Sequence, residues 1–482
     1  MMPRMKKPAT TALLLATAII IMSAPHCMAE PELPTPPAVV KKGTIDLDLC
    51  ETSPFVFKDK LYRLEWHRKA GRLRIMDHAT QTEVSHFGEK HRFPCVFVEG
   101  DTVHVYGTKE DRGWFGNTLT VFTSTDLLEW KEQIAFTDKD YGICNTSVCK
   151  AGDRHVMSIE VNSASKVTNG TFACRFLESK DLLHWTPTPA DCRQGFDGGL
   201  CSPHLLRWHD GWFYLFSTIG GHPKGYVLLL NRSRDLKQWE PSPFNPVMFA
   251  EDADKQIANP KLTPEDRAKI AGAQNRDNSD IDFIDHKGKL VINYCWGNQV
   301  GKEFIAEAEF AGTTGQYLQA WYPDERLWRG IDITQPLSTF AKDRSKFGKV
   351  LTADGATITS SSGSIRGNAL LQGGCADPFA FHTDAERNPW LTIDLGKENE
   401  LTGILIRNRT DTCQDRAATL RARISSDGRQ WRDVWQASGA EPLWEIPLAG
   451  KTLKARYVRM EAQPASPVPF HLHHLEVWGF AP

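Results

Sequence analysis

Asp280 and Asp282 stand two residues apart in the run Asn278-Ser279-Asp280-Ile281-Asp282, and on a β-strand side chains two apart share a face. Two neighbouring carboxylates repel one another as anions, so one of them keeps its proton at a pH where an isolated aspartate would lose it. That is the property a general acid needs. The competing reading makes Asp280 a turn or cap residue after Asn278-Ser279. Glu160, at the end of a strand-like run, and His204, which follows Ser202-Pro203, are further groups able to move a proton. A solvated strand-end glutamate and a hydrogen-bonded structural histidine are their plainer alternatives.

These residues must be positioned by short strands. From Gly43 onward the chain reads as β-branched and aromatic runs broken by Gly/Asp turns, with few helical stretches. One helix is expected between strands: Thr263 as N-cap, Pro264 at the first helical position, then Glu265 and Asp266, running to Ile270. Two repeats sharpen the reading. Asp-Leu-x-x-Trp recurs at Asp126, Asp181 and Asp235, with Trp130, Trp185 and Trp239 closing each copy, at intervals of 55 and 54 residues. A turn leading into an apolar strand recurs five times, at Lys58-Asp59, Gly100-Asp101, Gly152-Asp153, Asp210-Gly211 and Lys287-Gly288. A hairpin unit of this size cannot bury its own faces and must pack on its copies, which implies five blades arranged radially, a five-bladed β-propeller. In such a blade the Asp caps a turn while Leu and Trp fill the space between sheets, a structural role. A similar run from Ser425 to Trp431 lies beyond the repeats and is read as coincidence.

At 482 residues two folded units are expected. The repeats stop after Pro336, the stretch from Lys342 to Gly367 is rich in Ser, Gly and Lys, and alternating strand patterns resume at Trp390, Ile404, Arg421 and Arg456. The division is therefore 43–340 for the propeller and 355–482 for a β-sandwich, an all-β chain throughout. Arg4, Lys6 and Lys7, an apolar run from Ala12 to Met22 and small residues ending at Ala29 read as a secretory signal over 1–29, followed by a Pro-rich lead-in over 30–42. The protein is expected to be exported, periplasmic or extracellular, without membrane insertion. With 57 basic and 59 acidic residues there is no electrostatic case for nucleic acid. Ten of the eleven cysteines follow the signal, so disulfides are expected, with a pairing that spacing leaves open.

The two repeats together resemble the five-bladed fold of glycoside hydrolase families 43 and 32 over about residues 43–336. In that fold the first residues of each innermost strand line a central funnel, and in the hydrolases they include the carboxylates that cleave the glycosidic bond. The matching positions here are Ser53-Pro54, Phe93-Pro94, Asn145-Thr146, Ser202-Pro203-His204 and Asn278 to Asp282, so only the last is acidic. The resemblance implies Asp280, Asp282, Glu160 and His204 as catalytic groups, with Glu51, Asn145, Trp296, Asn298 and Gln299 in contact with substrate. For Trp296 a stacking platform and a core position are equal alternatives. No cofactor is implied for the reaction.

Residues 355–480 resemble the discoidin and coagulation-factor type C sandwiches, and within them the fucose-binding lectins. The lectins carry a His and, about two dozen residues on, an Arg-x-Asp-Cys-Cys-x-x-Arg. Here His382 precedes Arg409-Thr410-Asp411-Thr412-Cys413-Gln414-Asp415-Arg416, with Thr412 in place of one cysteine. The resemblance implies a sugar held by His382, Arg409 and Arg416, a structural calcium with Asp377 and Glu476 as ligands, and a bridge from Cys413 to Cys375. The alternative for the arginines is pairing with Asp411 and Asp415. The expectation is an exported glycosidase acting on a polysaccharide or oligosaccharide and tethered to it by the C-terminal module. A glycan-binding protein with a degenerate propeller and, through His204, a polysaccharide lyase are the alternatives.

Overall fold

The computed structural model describes residues 33–111, 116–162, 172–195, 201–222, 224–299, 301–324, 330–331, 338–353, 355–365, 370–371, 378–450 and 453–482. The expected signal segment, Cys375 and Asp377 lie outside these residues. The chain folds as five consecutive antiparallel groups of strands followed by a β-sandwich.

Each group starts with a hairpin at one of the five turns read from sequence. Thr52–Phe57 turns into Lys60–His67, His91–Glu99 into Thr102–Lys109, and Gly142–Ala151 into Arg154–Asn162. Ser202–His209 turns into Trp212–His222, and Asp277–His286 into Lys289–Gly297. Lys58 and Asp59, Asp210 and Gly211, and Lys287 and Gly288 all have positive φ, the backbone that a two-residue hairpin turn requires. The opening strands of successive groups lie side by side, and the fifth, Asp277–His286, lies beside the first, Thr52–Phe57. A single parallel bridge between Tyr226 and Asp277 joins the fourth group to the fifth.

The outermost strand of the fifth group comes from the start of the chain. Val39–Leu47 pairs antiparallel with Glu303–Phe310, so regular structure begins inside the expected lead-in, four residues before Gly43. The pairing is secured by a buried ion pair: Lys41 Nζ lies 2.8 Å from Asp254, and Asp254 also accepts from Tyr294 (2.7 Å) and Asn278 (3.2 Å).

The Asp-Leu-x-x-Trp repeat does what its chemistry suggests. Asp126 Oδ1 accepts the backbone N–H groups of Leu128 and Glu129 at 2.8 and 3.0 Å, and Asp181 and Asp235 repeat the pattern. Leu127, Leu182 and Leu236 are buried between neighbouring groups, and Trp130 stacks on Phe87 at 3.9 Å. Ser425-Ser426-Asp427-Gly428 builds the same turn in the sandwich, with Asp427 accepting from Arg429 and Gln430. It is thus a local hydrogen-bonding device that works in either setting. The expected helix forms at Pro264–Gly272 with Thr263 as N-cap and Asp266 returning the bond.

The sandwich packs an eight-stranded sheet, centred on the long strand Trp390–Arg407, against three short strands, Ser364–Ile365, Phe381–His382 and His471–Leu472. The stretch expected as a domain boundary holds two short helices, Thr339–Lys342 and Arg344–Phe347. Phe340 packs on Phe347 and on Trp478, and the core beneath the fourth and fifth strand groups continues through them to Leu405 and Trp478 of the sandwich. The two units therefore share apolar core. Phe340→Ala should cost about 3–5 kcal/mol, and chemical denaturation followed by fluorescence should change from one transition to two as the units uncouple.

Candidate functional site

At the end where the five opening strands begin, their first residues surround a cavity of about 680 Å³. Glu51, Phe93, Asn145, His204 and Asp280 reach it from the five strands in turn, and Glu160, Arg68, Tyr226, Gln299 and Glu303 from the strands and turns behind them. Four of the opening strands carry a break in register near this end, between Arg92 and Cys95, Ile143 and Thr146, Pro203 and Leu205, and Ser279 and Asp282. A bulge re-aims the side chains on either side of it. Phe93 and Asp280 sit in these breaks with φ of +52° and +48°.

The bulge corrects one expectation. Asp280 and Asp282 do not act as a carboxylate pair on one face, because the irregularity between them separates their partners. Asp280 Oδ1 lies 3.0 Å from His204 Nδ1, and its Oδ2 accepts from Cys50 Sγ at 3.0 Å. Asp282 turns to Arg207, 2.5 Å away, and to the backbone N–H of Phe283. A smaller cavity reaches Asp282, whose carboxylate is already committed to that guanidinium.

The acids of the main cavity differ in charge. Burial would push Asp280 upward, but the His204 imidazolium and the hydroxyl and thiol donors around it overcome that, leaving its pKa well below the ordinary aspartate value. His204 is raised in return, since Asp280, Glu160 and Glu51 outweigh the desolvation of its charged form. Glu160 is pushed up to about 7 by burial, against the pull of His204 and hydrogen bonds from Ser202 and Asn145, the latter at 2.9 Å. Burial and Asp280 likewise push Glu51 to about 7 despite Arg68, 3.7 Å away, which also donates to Glu303. Asp277, beneath Gln299, rises to about 7 through burial. Below about pH 7 the cavity thus holds an ionised Asp280 beside Glu51 and Glu160 that still carry protons, the split that acid/base chemistry exploits.

Other expected residues fall elsewhere. Trp296 is fully buried, stacked on Phe304 at 4.4 Å and bonded to Thr44, so it serves the core and offers no face to a sugar. Asn298 shapes a turn by accepting from Lys302, while the Gln299 amide bonds Asp277 and Ser279 at the cavity wall. Arg68, Asp277, Glu303 and Tyr226 were missed. Arg68, Glu303 and Tyr226 lie away from the start of an opening strand, where no repeat position marks them, and Asp277 opens the fifth strand one residue ahead of the run Asn278 to Asp282 read as the funnel position. All nine described cysteines carry free thiols, eight of them buried. This differs from the expected disulfides, and the proposed partner of Cys413 lies outside the described residues. Cys50, Cys295 and Asp280 place ligand atoms within 4.8 Å of one another, a spacing that would admit one metal ion. Burial pushes the Cys295 thiol to about 12.

In the sandwich, His382 lies 5.2 Å, ring to ring, from Phe379 and 5.9 Å from His471. Arg409 stands over Phe379 and forks onto Asp411 at 2.6 and 2.8 Å, leaving its remaining nitrogen 3.4 Å from His471. Half of the alternative reading, the Arg409–Asp411 pair, is therefore present. Burial, followed by Arg409, Arg416 and His382, holds the His471 pKa down at about 4. Arg416, half-buried on the turn Gln414–Ala417, completes the cluster. His471 was not anticipated because it meets His382 only through the sheet pairing of Phe381–His382 with His471–Leu472, and Phe379, three residues before His382, carries no polar group to mark it. Glu476, expected as a calcium ligand, is buried, accepts from the Trp478 indole at 2.6 Å and lies 3.1 Å from His474. The other expected ligand, Asp377, lies outside the described residues.

The comparisons bear on this unit. Residues 355–472 match the F5/8 type C domain. Over these residues the C-terminal sandwich matches a discoidin-like domain. Similar solved structures include the lectin domain of lectinolysin complexed with Lewis B antigen, at 22% identity over 28% of this chain and 99% of that one, TM-score 0.24. A fucose-binding module of Streptococcus pneumoniae gives the same four values. A fucolectin from striped bass (Morone saxatilis) serum is 22% identical over 28% of this chain and 48% of that one, TM-score 0.25. No curated protein matches the chain in sequence.

Because Glu160 is raised in the folded state, the unfolded chain ionises first, and the folded state loses stability between about pH 4.5 and 7. Glu160→Gln, which keeps the amide and hydroxyl partners, should leave stability unchanged at pH 4. It should add about 2 kcal/mol relative to the wild type at pH 8, read from denaturant midpoints at the two pH values.

Proposed function

We propose that the chain is an exported glycan-processing protein in which the five strand groups form a five-bladed propeller with a glycosidase site, and the C-terminal sandwich holds the glycan nearby. The observation that carries the reading is the convergence of Glu51, Glu160 and Asp280 on one cavity with their proton affinities driven apart. In the reaction Glu160 gives its proton to the glycosidic oxygen as the bond from the anomeric carbon to that oxygen breaks. Water adds to the carbon, and its surplus proton passes to a cavity carboxylate. Asp280, kept anionic by His204, stabilises the positive charge that develops on the sugar ring. Because His204 is held as a cation by Asp280, it does not suit the base of a lyase. Export rests on the basic, apolar and small-residue segments of the first 29 residues.

Glycan binding without cleavage is the second reading, favoured by the neutral Ser53, Asn145 and Ser202 at strand starts where the hydrolases carry acids. Product release from a panel of plant and algal polysaccharides separates the two. Glu160→Gln should lower turnover about 100-fold or more and Asp280→Asn should also impair it, while Asp282→Asn, which alters the Arg207 pair, should leave turnover within a few-fold. The wild-type rate should fall as pH rises through about 7, when Glu160 loses its proton. Absence of product from every substrate, with glycan retention intact, would reject hydrolysis.

Retention itself is tested on a glycan array. His382→Ala or Arg416→Ala should weaken the signal of the full chain at least about tenfold, leaving what the cavity itself retains, without changing its melting temperature. Unchanged binding by both variants would remove this cluster from sugar recognition.

A further inference from the structure

Tyr226 is an exposed aromatic side chain on the wall of the acidic cavity, 43% accessible. Its exposure is not looseness. Its backbone N–H donates to the Arg276 carbonyl at 3.0 Å, and it forms the parallel bridge with Asp277. It follows Gly225, at φ +91°, where a Cβ would come within 1.9 Å of the Arg276 carbonyl oxygen, so another residue would be strained and obstructed there. The ring itself lies against Gly220, where a Cβ would stand 2.7 Å from it. Two glycines and a strand junction thus hold a phenol ring ready at the cavity. A pyranose needs such a surface for its C–H face, with hydrogen-bonding groups opposite for its hydroxyls.

The groups opposite restrict which sugar can enter. Five acids face or flank the cavity, Glu51, Glu160, Asp277, Asp280 and Glu303, and each of the two cations that line it among the described residues already faces carboxylates, with one donor left over on each, Arg68 Nε and His204 Nε2. Arg68 serves Glu303 and Glu51, and His204 serves Asp280. Glu160 Oε1 and His204 Nε2 are buried without a hydrogen-bond partner among the described residues, so Glu160 is available to a hydroxyl or an amine, and His204 can donate to a hydroxyl oxygen. A carboxylate or sulfate on the sugar would meet, among the described lining residues, only cations whose charge is already balanced by Asp280, Glu51 and Glu303, and would add net negative charge where water screens it poorly. We propose that Tyr226 is the stacking platform of this cavity and that the sugar unit it seats bears no acidic substituent. This inference rests on the reading of the cavity as a sugar site.

The test uses the full chain and three sets of labelled oligosaccharides: neutral xylo-, cello- and galacto-oligomers, chitosan oligomers, and acidic oligogalacturonate with sulfated galactan oligomers. Cleavage gives KM and kcat, and the Glu160→Gln form gives equilibrium binding. A neutral or amino-sugar oligomer should be preferred. Tyr226→Ala should weaken its binding roughly tenfold, chiefly through KM, and Tyr226→Phe should restore it to within about twofold. Preference for the acidic set would overturn the inference, as would unchanged KM and binding in Tyr226→Ala. If every bound sugar is lost with His382→Ala and none responds to Glu160→Gln or Tyr226→Ala, the cavity is not a sugar site. The underlying reading then falls together with the inference.

Discussion

The cavity depends on the pairing of Val39–Leu47, from the start of the chain, with Glu303–Phe310, from some 260 residues later. This places Cys50 and Glu51 against Asp280 and sets Glu303 within reach of Arg68. Without it the first and fifth strand groups would lack a common edge, and the acids would be dispersed on separate hairpins. The pair between Lys41 and Asp254 holds the arrangement in register. Its buried charges have firm partners in Asn278 and Tyr294, and removing one member of such a pair is far more costly than replacing both.

Burial then does chemical work. Glu51, Glu160 and Asp277 are hard to ionise because the strands around them exclude water, and His204, the histidine that lines the cavity among the described residues, bonds directly to Asp280 and acts on Glu160 too weakly to overcome its burial. A single imidazole thus divides the acids into one anion and several proton carriers. The backbone bulge at Asp280 is as important as the charge. Regular alternation would have brought Asp280 and Asp282 to one face and left His204 and Arg207 competing for them. The break in register gives each aspartate its own cation.

In the sandwich the same economy appears with opposite charge. Arg409, His382 and His471 pack around Phe379, and burial together with the repulsion of Arg409, Arg416 and His382 keeps His471 neutral. Its Nε2 donates to the Cys413 carbonyl, leaving Nδ1 to accept from Arg409. The shared core through Phe340 and Trp478 fastens this surface to the rest of the chain.

The sequence by itself determined what lies within a few residues of its cause. The five hairpin turns, the Asp-Leu-x-x-Trp caps, the helix behind Thr263 and the strand starts that line the cavity were all legible, because each depends on local backbone geometry and nearby hydrogen bonds. The sites needed more. Glu51, Glu160, His204 and Asp280 could be named one by one, whereas their convergence, the burial of Trp296, the removal of Asp282 to Arg207 and the arrival of Tyr226, Arg68 and His471 could not. These depend on strand register, on one bulge and on contacts between segments far apart in the chain. A one-residue change in pairing reverses which face a side chain occupies, and proton affinity follows from what surrounds a group after folding, which its neighbours in sequence do not reveal.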